Sequence, residues 1–484
     1  MRLTDLLDPR PDDDTTAAVY FRDQVITRKR LRTSARSLAD RLVAAGLRPG
    51  QPVAVMLPNG PEIIAAMFGC WLAGGVYVPV NSRLTASEVE HMTDAVKPAI
   101  AVSSAAFGDL PVVAANELSW AEATGPSRDV PAHDGDIGLV QWTSGTTGRP
   151  KPVLMRHSGF LTLLEPVLAK LTGRSGAQLA ERKEPMPNLI PTSLALSAGI
   201  FNVLFAFRIG APVVVLDAFD PKNFAEVVAR FRIRSTVLPP AAMTMLVNDP
   251  EITGLAPLKY VRSITAPLSP FQARRFRAKF GITVLNCYGQ TEIGGEIVGW
   301  NAEDARTFGE TKLGAVGRPH DGVELRIDEL GELHVRTRAT SAGYADGSGL
   351  DDRITEDGWF RTGDIARIDG DGFLWIEGRV SDLINRGGLK VFPAEVEEVL
   401  RLSPLVGECA VVGVPDDRLG EVPWAFVVPP PSDESALRSF ARARLSPYKV
   451  PVRFVGVTAL PRNEIGKVLT GQLVADAARI GDER

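Results

Sequence analysis

The sequence predicts an α/β protein with a second, smaller α+β domain at its C-terminal end. Short β-rich apolar runs alternate with helical patterns through most of the chain, and this alternation favours α/β layers with largely parallel, buried sheets. Near residue 365 the pattern changes to closely spaced antiparallel strands. The length of 484 residues and the hydrophobic share of 45% allow several domain-sized cores.

The N-terminal alternation can be followed element by element. Leu38 and Leu42 lie on one face of a predicted helix that ends near Gly46, and an apolar strand is predicted over Val53 to Leu57. Further β-rich runs between helical patterns are Val213 to Leu216, Thr236 to Leu238 and Thr283 to Leu285. These runs are typical of buried parallel strands.

The C-terminal change begins with a predicted hairpin. Ile365 to Ile368 and Phe373 to Ile376 flank the turn sequence Asp369-Gly370-Asp371-Gly372. Farther on, Pro393 opens a predicted helix with Val396, Val399 and Leu400 on one face. We therefore divide the chain into an N-terminal domain, residues 1–379, and a C-terminal domain, residues 380–484.

Composition excludes several classes of protein. A net charge of −4 gives no general attraction to nucleic acid or to an anionic membrane. The uncharged runs Ile63 to Val80 and Leu189 to Phe207 contain glycine, proline or polar residues, and we read them as buried elements rather than membrane spans. The three widely spaced cysteines indicate a reducing compartment, so we expect a cytoplasmic protein.

One polar loop follows the apolar run Ile137 to Trp142. It reads TSGTTGRPK, from Thr143 to Lys151, and combines hydroxyls, glycines and a lysine. Glycines let the backbone approach a polyphosphate, hydroxyls donate hydrogen bonds, and the lysine supplies charge. Such clusters are also common in solvated turns, and the spacing does not satisfy the Walker rule of P-loop proteins.

Three further stretches follow in order: Asn286 to Glu292 (NCYGQTE), Gly358 to Asp364 (GWFRTGD) and Pro461 to Lys467 (PRNEIGK). With the polar loop, they resemble the motifs of the adenylate-forming superfamily, which includes acyl-CoA and aryl-CoA synthetases. The resemblance covers nearly the whole chain. It implies a β-barrel-like part beside the layered N-terminal subdomains and a mobile C-terminal lid.

The resemblance implies a two-step reaction. A carboxylate attacks the α-phosphate of ATP to give an acyl-adenylate and pyrophosphate, and a thiol then displaces AMP. ATP, Mg²⁺ and coenzyme A are the expected cofactors, and a small carboxylic acid is the expected partner. The step brings two anions together, so positioning and charge neutralisation must supply most of the catalysis.

The resemblance also implies which residues bind the nucleotide. Tyr288 would line the adenine site, Thr291 would contact the α-phosphate, and Glu292 would help hold Mg²⁺. Asp364 would accept from the ribose hydroxyls, with Arg379 as its partner. The remaining predicted nucleotide-binding residues are Thr143, Ser144, Gly145, Thr146, Thr147, Gly148, Lys151, Ala266, Pro267, Asn286 and Gly289.

The C-terminal domain would contribute to both steps. Lys467 matches the family's lysine that bridges the attacking carboxylate and the α-phosphate. The domain would rotate about Ser381, although Asp382 could serve instead. After rotation, Gly387 and Gly388 would line the tunnel for the pantetheine arm; a plain turn is the alternative.

The segment expected to form the acid pocket departs from the family pattern. Leu196 replaces a common histidine there, and in a second segment, which the resemblance places at the entrance to the adenine site, Ile264 stands where a glycine is common. An apolar set could line the pocket or simply form a buried helix: Leu194, Leu196, Ile200, Phe201, Leu204 and Phe205. Thr192-Ser193 replaces the Phe-Asp of amino-acid-adenylating relatives, so we expect an uncharged acid.

Two other functions stay open at this point. The enzyme could pass its acyl group to the thiol of a carrier protein rather than to coenzyme A. A non-catalytic nucleotide-binding protein with the same fold is the third possibility. Loss of Lys467, Glu292 or the polar loop would favour it, but all three are present in this sequence. The sequence does not determine the acid or the oligomeric state, and a homodimer remains an option.

Overall fold

Twelve α-helices and six β-sheets make up the part of the chain that the computed structural model describes, residues 2–7, 15–143, 150–174, 178, 185–266, 268–462 and 468–482. The helices are α1 (Arg28–Ala44), α2 (Pro61–Leu72), α3 (Ala86–Val96), α4 (His157–Thr172), α5 (Ser197–Arg208), α6 (Pro221–Arg230), α7 (Pro240–Asn248), α8 (Pro270–Phe280), α9 (Ala302–Phe308), α10 (Pro393–Arg401), α11 (Glu434–Arg442) and α12 (Thr470–Asp482). Short 3-10 helices include Thr291–Ile293, Asp351–Arg353 and Val380–Asp382.

Two sheets form the first layers. The four-stranded sheet has the order β10-β11-β1-β2, and the seven-stranded sheet has the order β7-β6-β5-β3-β4-β8-β9. Their strands are β1 (Ala17–Phe21), β2 (Gln24–Thr27), β3 (Pro52–Met56), β4 (Val76–Pro79), β5 (Ile100–Ser103), β6 (Val112–Asn116), β7 (Ser119–Trp120), β8 (Ile137–Trp142), β9 (Pro152–Arg156), β10 (Asn188–Ile190) and β11 (Val213–Val215). The central strands of the larger sheet are parallel, and β9 closes its edge antiparallel to β8.

Three smaller sheets follow in the chain. The parallel sheet β12-β13-β14 contains β12 (Ser235–Leu238), β13 (Tyr260–Ser263) and β14 (Thr283–Leu285). Two antiparallel sheets contain β15 (Tyr288–Gln290), β16 (Gly295–Gly299) and β17 (Arg318–Pro319), then β18 (Glu324–Ile327), β19 (Glu332–Arg336), β20 (Phe360–Ile368) and β21 (Leu374–Arg379). The predicted nucleotide motifs therefore follow the carboxyl ends of β8 and β14, where open α/β sheets bind ligands.

The last sheet is built only from residues beyond Asp382. It contains β22 (Ile384–Arg386), β23 (Leu389–Val391), β24 (Glu408–Asp416), β25 (Gly420–Val428) and β26 (Arg453–Gly456). Helices α10 and α11 cover one hydrophobic core on this sheet, and α12 covers another. The short 3-10 helix Val380–Asp382 connects β21 to this sheet.

The predicted alternation and the predicted hairpin are confirmed. Helix α1 ends at Ala44, and Gly46 follows it with a φ of 91°, a left-handed conformation that favours glycine. Strands β20 and β21 pair antiparallel around the Asp369–Gly372 turn. Helix α10 begins at Pro393 and buries Val396 and Leu400.

Each of the two uncharged runs forms a helix and a strand rather than one long helix. The first forms α2 and β4, and the second forms β10 and α5. Among the described residues, no helix has the length and apolar character needed to cross a bilayer. Cys70, Cys287 and Cys409 are all unpaired.

Candidate active site

The carboxylate of Asp364 lies at the centre of the site. Asp364 is on β20, directly opposite Arg379 on β21, and directly opposite residues of an antiparallel pair project from the same face. Arg379 Nε lies 3.0 Å from Asp364 Oδ1. The hairpin predicted from the sequence therefore brings the two predicted ribose-site residues together.

The NCYGQTE segment contacts the same carboxylate. The hydroxyl of Tyr288 donates to Asp364 Oδ2 at 2.6 Å, and the amide nitrogen of Gln290 donates to the same oxygen at 2.6 Å. Tyr288 and Gln290 are two residues apart on β15, so their side chains project from one face of that strand. Burial, followed by the charge of Asp364, raises the pKa of Tyr288 well above its ordinary value. Tyr288 is therefore a neutral donor.

Asp364 is nearly saturated by protein donors. A carboxylate offers about four acceptor positions, and Arg379, Tyr288 and Gln290 occupy three of them. A ribose diol could gain both of its hydrogen bonds only by displacing one donor. The side chain of Arg379 is 38% accessible, so it could leave Asp364 more easily than the buried Tyr288.

Glu292 is buried rather than solvated at a loop end. It lies in the short 3-10 helix Thr291–Ile293 and is 8% exposed. Arg353 Nη1 lies 3.1 Å from Glu292 Oε1, and the hydroxyl of Tyr344 donates to the same oxygen at 3.2 Å. Both of these contacts use Oε1. Among the described residues, Oε2 thus stays open to a hard cation such as Mg²⁺, for which carboxylate oxygen is a suitable ligand.

The two ends of the polar loop meet next to Glu292. The amide of Thr143 donates to the carbonyl oxygen of Lys151 at 3.0 Å, and the amide of Lys151 donates to Thr143 Oγ1 at 3.1 Å. Lys151 Nζ lies 5.1 Å from the ring centroid of Tyr344, whose hydroxyl contacts Glu292. The predicted loop residues Ser144, Gly145, Thr146, Thr147 and Gly148 lie outside the described residues.

Three other predicted residues lie on the strands and turns around Tyr288. Gly289 must be glycine, because a Cβ there would lie 1.7 Å from the carbonyl oxygen of Gly295. Asn286 accepts from the amide of Cys287 at 3.1 Å, and Ala266 donates to Ile264 at 2.9 Å. No described hydrogen bond joins Asn286 or Ala266 to Asp364. Pro267 lies outside the described residues.

The segment before Ala266 adopts an unusual conformation. Thr265 has a φ of 69°, a left-handed conformation that is costly for a β-branched residue. Helix α8 starts shortly afterwards, and the hydroxyl of Ser269 caps it by accepting from the amide of Gln272 at 3.2 Å. This cap fixes the start of the helix that follows the predicted nucleotide-binding residue Ala266.

The predicted C-terminal residues are only partly described. Gly387 and Gly388 have φ values of 60° and 88° and form the tight turn between β22 and β23. Their described backbone bonds are to Leu419 and Asn385 of the same C-terminal part. Ser381 donates to Asp382 Oδ1 at 2.9 Å in the connecting 3-10 helix. Lys467 lies outside the described residues.

The apolar set predicted for the acid pocket divides in two. Leu194, Ile200 and Leu204 belong to the main hydrophobic core. Leu196, Phe201 and Phe205 are only partly buried, and the rings of the two phenylalanines lie 6.5 Å apart. Only this second group retains accessible surface for a ligand.

Sequence reasoning missed four residues of the site: Gln290, Tyr344, Arg353 and Thr362. Gln290 lies in the NCYGQTE motif and Thr362 in the GWFRTGD motif, so both could have been predicted as site residues from their positions. The carbonyl oxygen of Thr362 accepts from both Gln290 and Arg353, at 2.9 and 2.8 Å. Tyr344 and Arg353 lie outside every motif, and no spacing or composition marked them.

A second cluster of potential metal ligands lies near Gly363. Asp328, Glu332 and His334 place their ligand atoms within 4.8 Å of one another, and His334 Nε2 is buried without a hydrogen-bond partner. However, Arg326 Nη2 lies 3.2 Å from His334 Nδ1. A guanidinium can only donate, so Nδ1 accepts and Nε2 carries the proton. To bind a metal within this cluster, Nε2 would have to be unprotonated. The residues present therefore do not favour a metal here.

Arg262, Glu296 and His320 form a buried polar cluster. Arg262 donates to Glu296 Oε2, and His320 Nε2 lies 3.2 Å from Glu296 Oε1. Burial, together with the charges of Lys170 and Arg262, lowers the pKa of His320 to about 3. His320 is therefore neutral in the folded protein.

This pKa predicts a loss of stability in mild acid. A histidine in the unfolded chain titrates near pH ~6.5, so between pH ~6.5 and about 3 the unfolded chain binds a proton that folded His320 does not. The free energy of unfolding should fall with decreasing pH in this window, by up to ~1.4 kcal/mol per pH unit. Urea unfolding at several pH values measures this slope. The variant His320→Gln should have a flatter slope, and equal slopes would contradict the assignment.

Comparisons with known proteins match nearly the whole chain. The family model described as AMP-binding enzyme matches residues 9–345, and the model for the AMP-binding enzyme C-terminal domain matches residues 395–467. A feruloyl-CoA synthase from Amycolatopsis sp. is 32% identical, covering 90% of this chain and 91% of the relative. A fatty acid–[acyl-carrier-protein] ligase from Streptomyces coeruleorubidus is 30% identical, covering 95% and 93%.

Solved structures agree with these matches. The O-succinylbenzoate coenzyme A synthetase of Bacillus subtilis, in complex with ATP and a magnesium ion, has a TM-score of 0.83 and 25% identity. The similarity covers 98% of this chain and 99% of that one.

Proposed function

This chain belongs to the AMP-binding enzyme family and is, at the level of that family, an AMP-forming acid–CoA ligase; we propose that its substrate is an uncharged carboxylic acid. In the first step a carboxylate oxygen attacks the α-phosphorus of ATP, and the bond to the bridging oxygen breaks to release pyrophosphate. In the second step the thiol sulfur of coenzyme A attacks the acyl carbon, AMP leaves, and the thiol proton passes to solvent.

The contact between Tyr288 and Asp364 is the observation that supports the nucleotide site most strongly. Two motifs far apart in the chain meet in a 2.6 Å hydrogen bond. Glu292 is linked to Asp364 through Arg353 and Gln290, and Lys151 lies near the ring of Tyr344, which contacts Glu292. In this proposal Asp364 binds the ribose, and Thr143 and Lys151 bind the outer phosphates together with the loop. Thr291, which directly precedes Glu292, contacts the α-phosphate.

Mg²⁺ fits the site through Glu292. The ion, when bound, would neutralise charge on the phosphate oxygens and so favour departure of pyrophosphate. Glu292 supplies one carboxylate oxygen, and Arg353 and Tyr344 hold its other oxygen in place. Lys467 would stabilise the charge that shifts between the carboxylate and the α-phosphate.

The acid is proposed to be uncharged beyond its reacting carboxylate. Leu196, Phe201 and Phe205 retain partly exposed apolar surface, and no carboxylate occurs in the Thr192-Ser193 pair to meet a substrate amine. The relatives include enzymes named for an aromatic acid and for fatty acids. Aliphatic and aromatic acids are therefore both within the proposal.

Domain movement is part of the proposal for the second step. We place the boundary after Arg379, at the connecting 3-10 helix Val380–Asp382, because the sheet and the two cores beyond it use only later residues. Ser381 or Asp382 would absorb the rotation, and Gly387 and Gly388 would then line the pantetheine tunnel. The unpaired cysteines fit a cytosolic setting.

A carrier-protein thiol is the second candidate acceptor. The similarity to a fatty acid–[acyl-carrier-protein] ligase supports this alternative directly. The chemistry of the first step is the same for both acceptors, so the nucleotide site does not distinguish them.

A panel of carboxylic acids with MgATP tests the proposal. Pyrophosphate release should depend on the acid, and adding coenzyme A should yield an acyl-CoA thioester and AMP. Acid-dependent release without a thioester would support the carrier-protein route. No acid-dependent release across aliphatic and aromatic acids would instead support a non-catalytic nucleotide-binding protein.

A further inference from the structure

Arg353 joins the two halves of the candidate nucleotide site. Its guanidinium lies 3.1 Å from Glu292 Oε1 and 3.3 Å from Gln290 Oε1. It also donates to the carbonyl oxygens of Thr362 at 2.8 Å and Arg361 at 3.1 Å. One side chain therefore contacts both the NCYGQTE segment and the strand that carries Asp364.

The guanidinium is held by packing as well as by hydrogen bonds. It lies 4.4 Å from the ring centroid of Phe360, a geometry that favours a cation–π contact. The side chain of Arg353 is 31% exposed, whereas that of Glu292 is 11% exposed. Arg353 is thus a partly accessible cation that covers a buried carboxylate.

Arg353 also helps to fix the orientation of the Gln290 amide, together with the Thr362 carbonyl oxygen and Asp364. An arginine can only donate, so Gln290 presents its carbonyl oxygen to Arg353. Its amide nitrogen then faces Asp364 Oδ2, which can only accept. Without Arg353, the carbonyl oxygen of Gln290 would lose this donor, and only the contacts of the amide nitrogen would hold the side chain towards Asp364.

These contacts form a chain from the magnesium ligand to the ribose ligand. Arg353 contacts Glu292 with one nitrogen and Gln290 with another, and Gln290 contacts Asp364. Arg353 is the side chain that these contacts share. A ligand bound at Glu292 can therefore change the hydrogen bonding of Asp364, and a ligand bound at Asp364 can change that of Glu292.

We propose that Arg353 is a positioning residue that couples magnesium binding at Glu292 to nucleoside binding at Asp364. The proposal rests on the function proposed above. Arg353 holds Glu292 in place before the ion arrives, and it keeps Gln290 oriented towards Asp364. Arg353 lies outside the polar loop and outside the NCYGQTE, GWFRTGD and PRNEIGK motifs.

The variant Arg353→Gln tests the coupling through two separate readouts. Calorimetry with AMP in the absence of Mg²⁺ reports the nucleoside side, and the Mg²⁺ concentration for half-maximal pyrophosphate release at saturating ATP reports the Glu292 side. We expect the Kd for AMP and the half-saturating Mg²⁺ concentration each to rise about tenfold, the equivalent of ~1.4 kcal/mol. We expect kcat at saturating MgATP to fall less than either.

A control arginine is available on β20, the strand that carries Asp364. Arg367 is on β20 and is paired with Glu377, with its side chain 51% exposed and outside the site. Arg367→Gln should leave both readouts unchanged. The conservative variant Arg353→Lys keeps the charge but not the planar guanidinium. We expect its half-saturating Mg²⁺ concentration to lie closer to the wild-type value than its Kd for AMP does.

The outcomes separate this inference from the proposed function. Wild-type protein that binds no nucleotide and releases no pyrophosphate would overturn both. Active wild-type protein with either readout unchanged in folded Arg353→Gln would overturn the coupling alone. Should Arg353→Gln fail to fold, Arg353→Lys replaces it, and an unchanged Kd for AMP in folded Arg353→Lys would overturn the inference.

Discussion

The substitution Lys467→Ala is expected to slow acyl-adenylate formation by on the order of 10²-fold or more. The carboxylate and the α-phosphate are both anionic, and a lysine bridging them stabilises charge that moves only in the transition state. Thioester formation from supplied acyl-adenylate should persist, because that half-reaction no longer brings the two anions together. Single-turnover measurements of each half-reaction test this split.

Lys449 provides the control for this substitution. It lies in the same C-terminal part and forms an ion pair with Glu395 at 2.6 Å. Lys449→Ala should change both half-reactions by no more than about twofold, since ion pairs near the surface contribute little. Equal losses in the two half-reactions of Lys467→Ala would count against the proposed role of Lys467.

The second large effect is expected from Asp364→Asn. This change keeps the shape of the side chain but removes its charge and replaces one acceptor oxygen with a donor. The new amide would face Arg379 on one side or Tyr288 and Gln290 on the other, all of which donate. We expect kcat/KM for ATP to fall on the order of 10²-fold, because charge-assisted hydrogen bonds to the nucleoside are lost.

The stability of Asp364→Asn must be measured alongside its kinetics. A mismatched buried hydrogen bond should lower the midpoint of urea unfolding, so activity is compared only under conditions where the variant is folded. Asp371→Asn, in the exposed turn of the same hairpin, is the control and should keep kcat/KM within about twofold. An unchanged kcat/KM in folded Asp364→Asn would remove Asp364 from the nucleotide site.

Local patterns explain why much of the fold could be predicted. Strand β14 occupies the predicted run Thr283 to Leu285, because β-branched and apolar residues favour a buried strand. The turn at Asp369 is recognisable because its glycines and aspartates suit a hairpin, and Lys312 and Trp375 contact the Asp369 carboxylate in the folded protein. The strand and the turn can be recognised from residues that are close together in the chain, whereas the contact between Lys312 and Asp369 joins distant positions.

The contacts of the site could be predicted only in part. Sequence motifs indicated Tyr288, Glu292 and Asp364, but they could not show that Asp364 is already nearly saturated by protein donors. The motifs did not indicate Arg353. Its contacts with Glu292 and Gln290 depend on the path of the chain between Tyr344 and Phe360, which no local pattern predicts. Such long-range pairings follow from the tertiary structure and not from local spacing.

The acid pocket shows the same limit. Periodicity placed Leu194 and Phe201 in one apolar set, whereas the structure buries Leu194 in the core and leaves Phe201 partly exposed. A buried helix face and a ligand-lining face have the same apolar spacing, so only the packing of α5 against its neighbours separates them.

Oxygen transfer from the acid to AMP tests the central claim most directly. A carboxylic acid labelled with oxygen-18 in its carboxylate is incubated with MgATP, coenzyme A and the enzyme, and the products are analysed by mass spectrometry. Attack of the carboxylate on the α-phosphorus predicts that each AMP formed carries one labelled oxygen. Unlabelled AMP, or label recovered in inorganic phosphate instead, would contradict adenylate formation at this site.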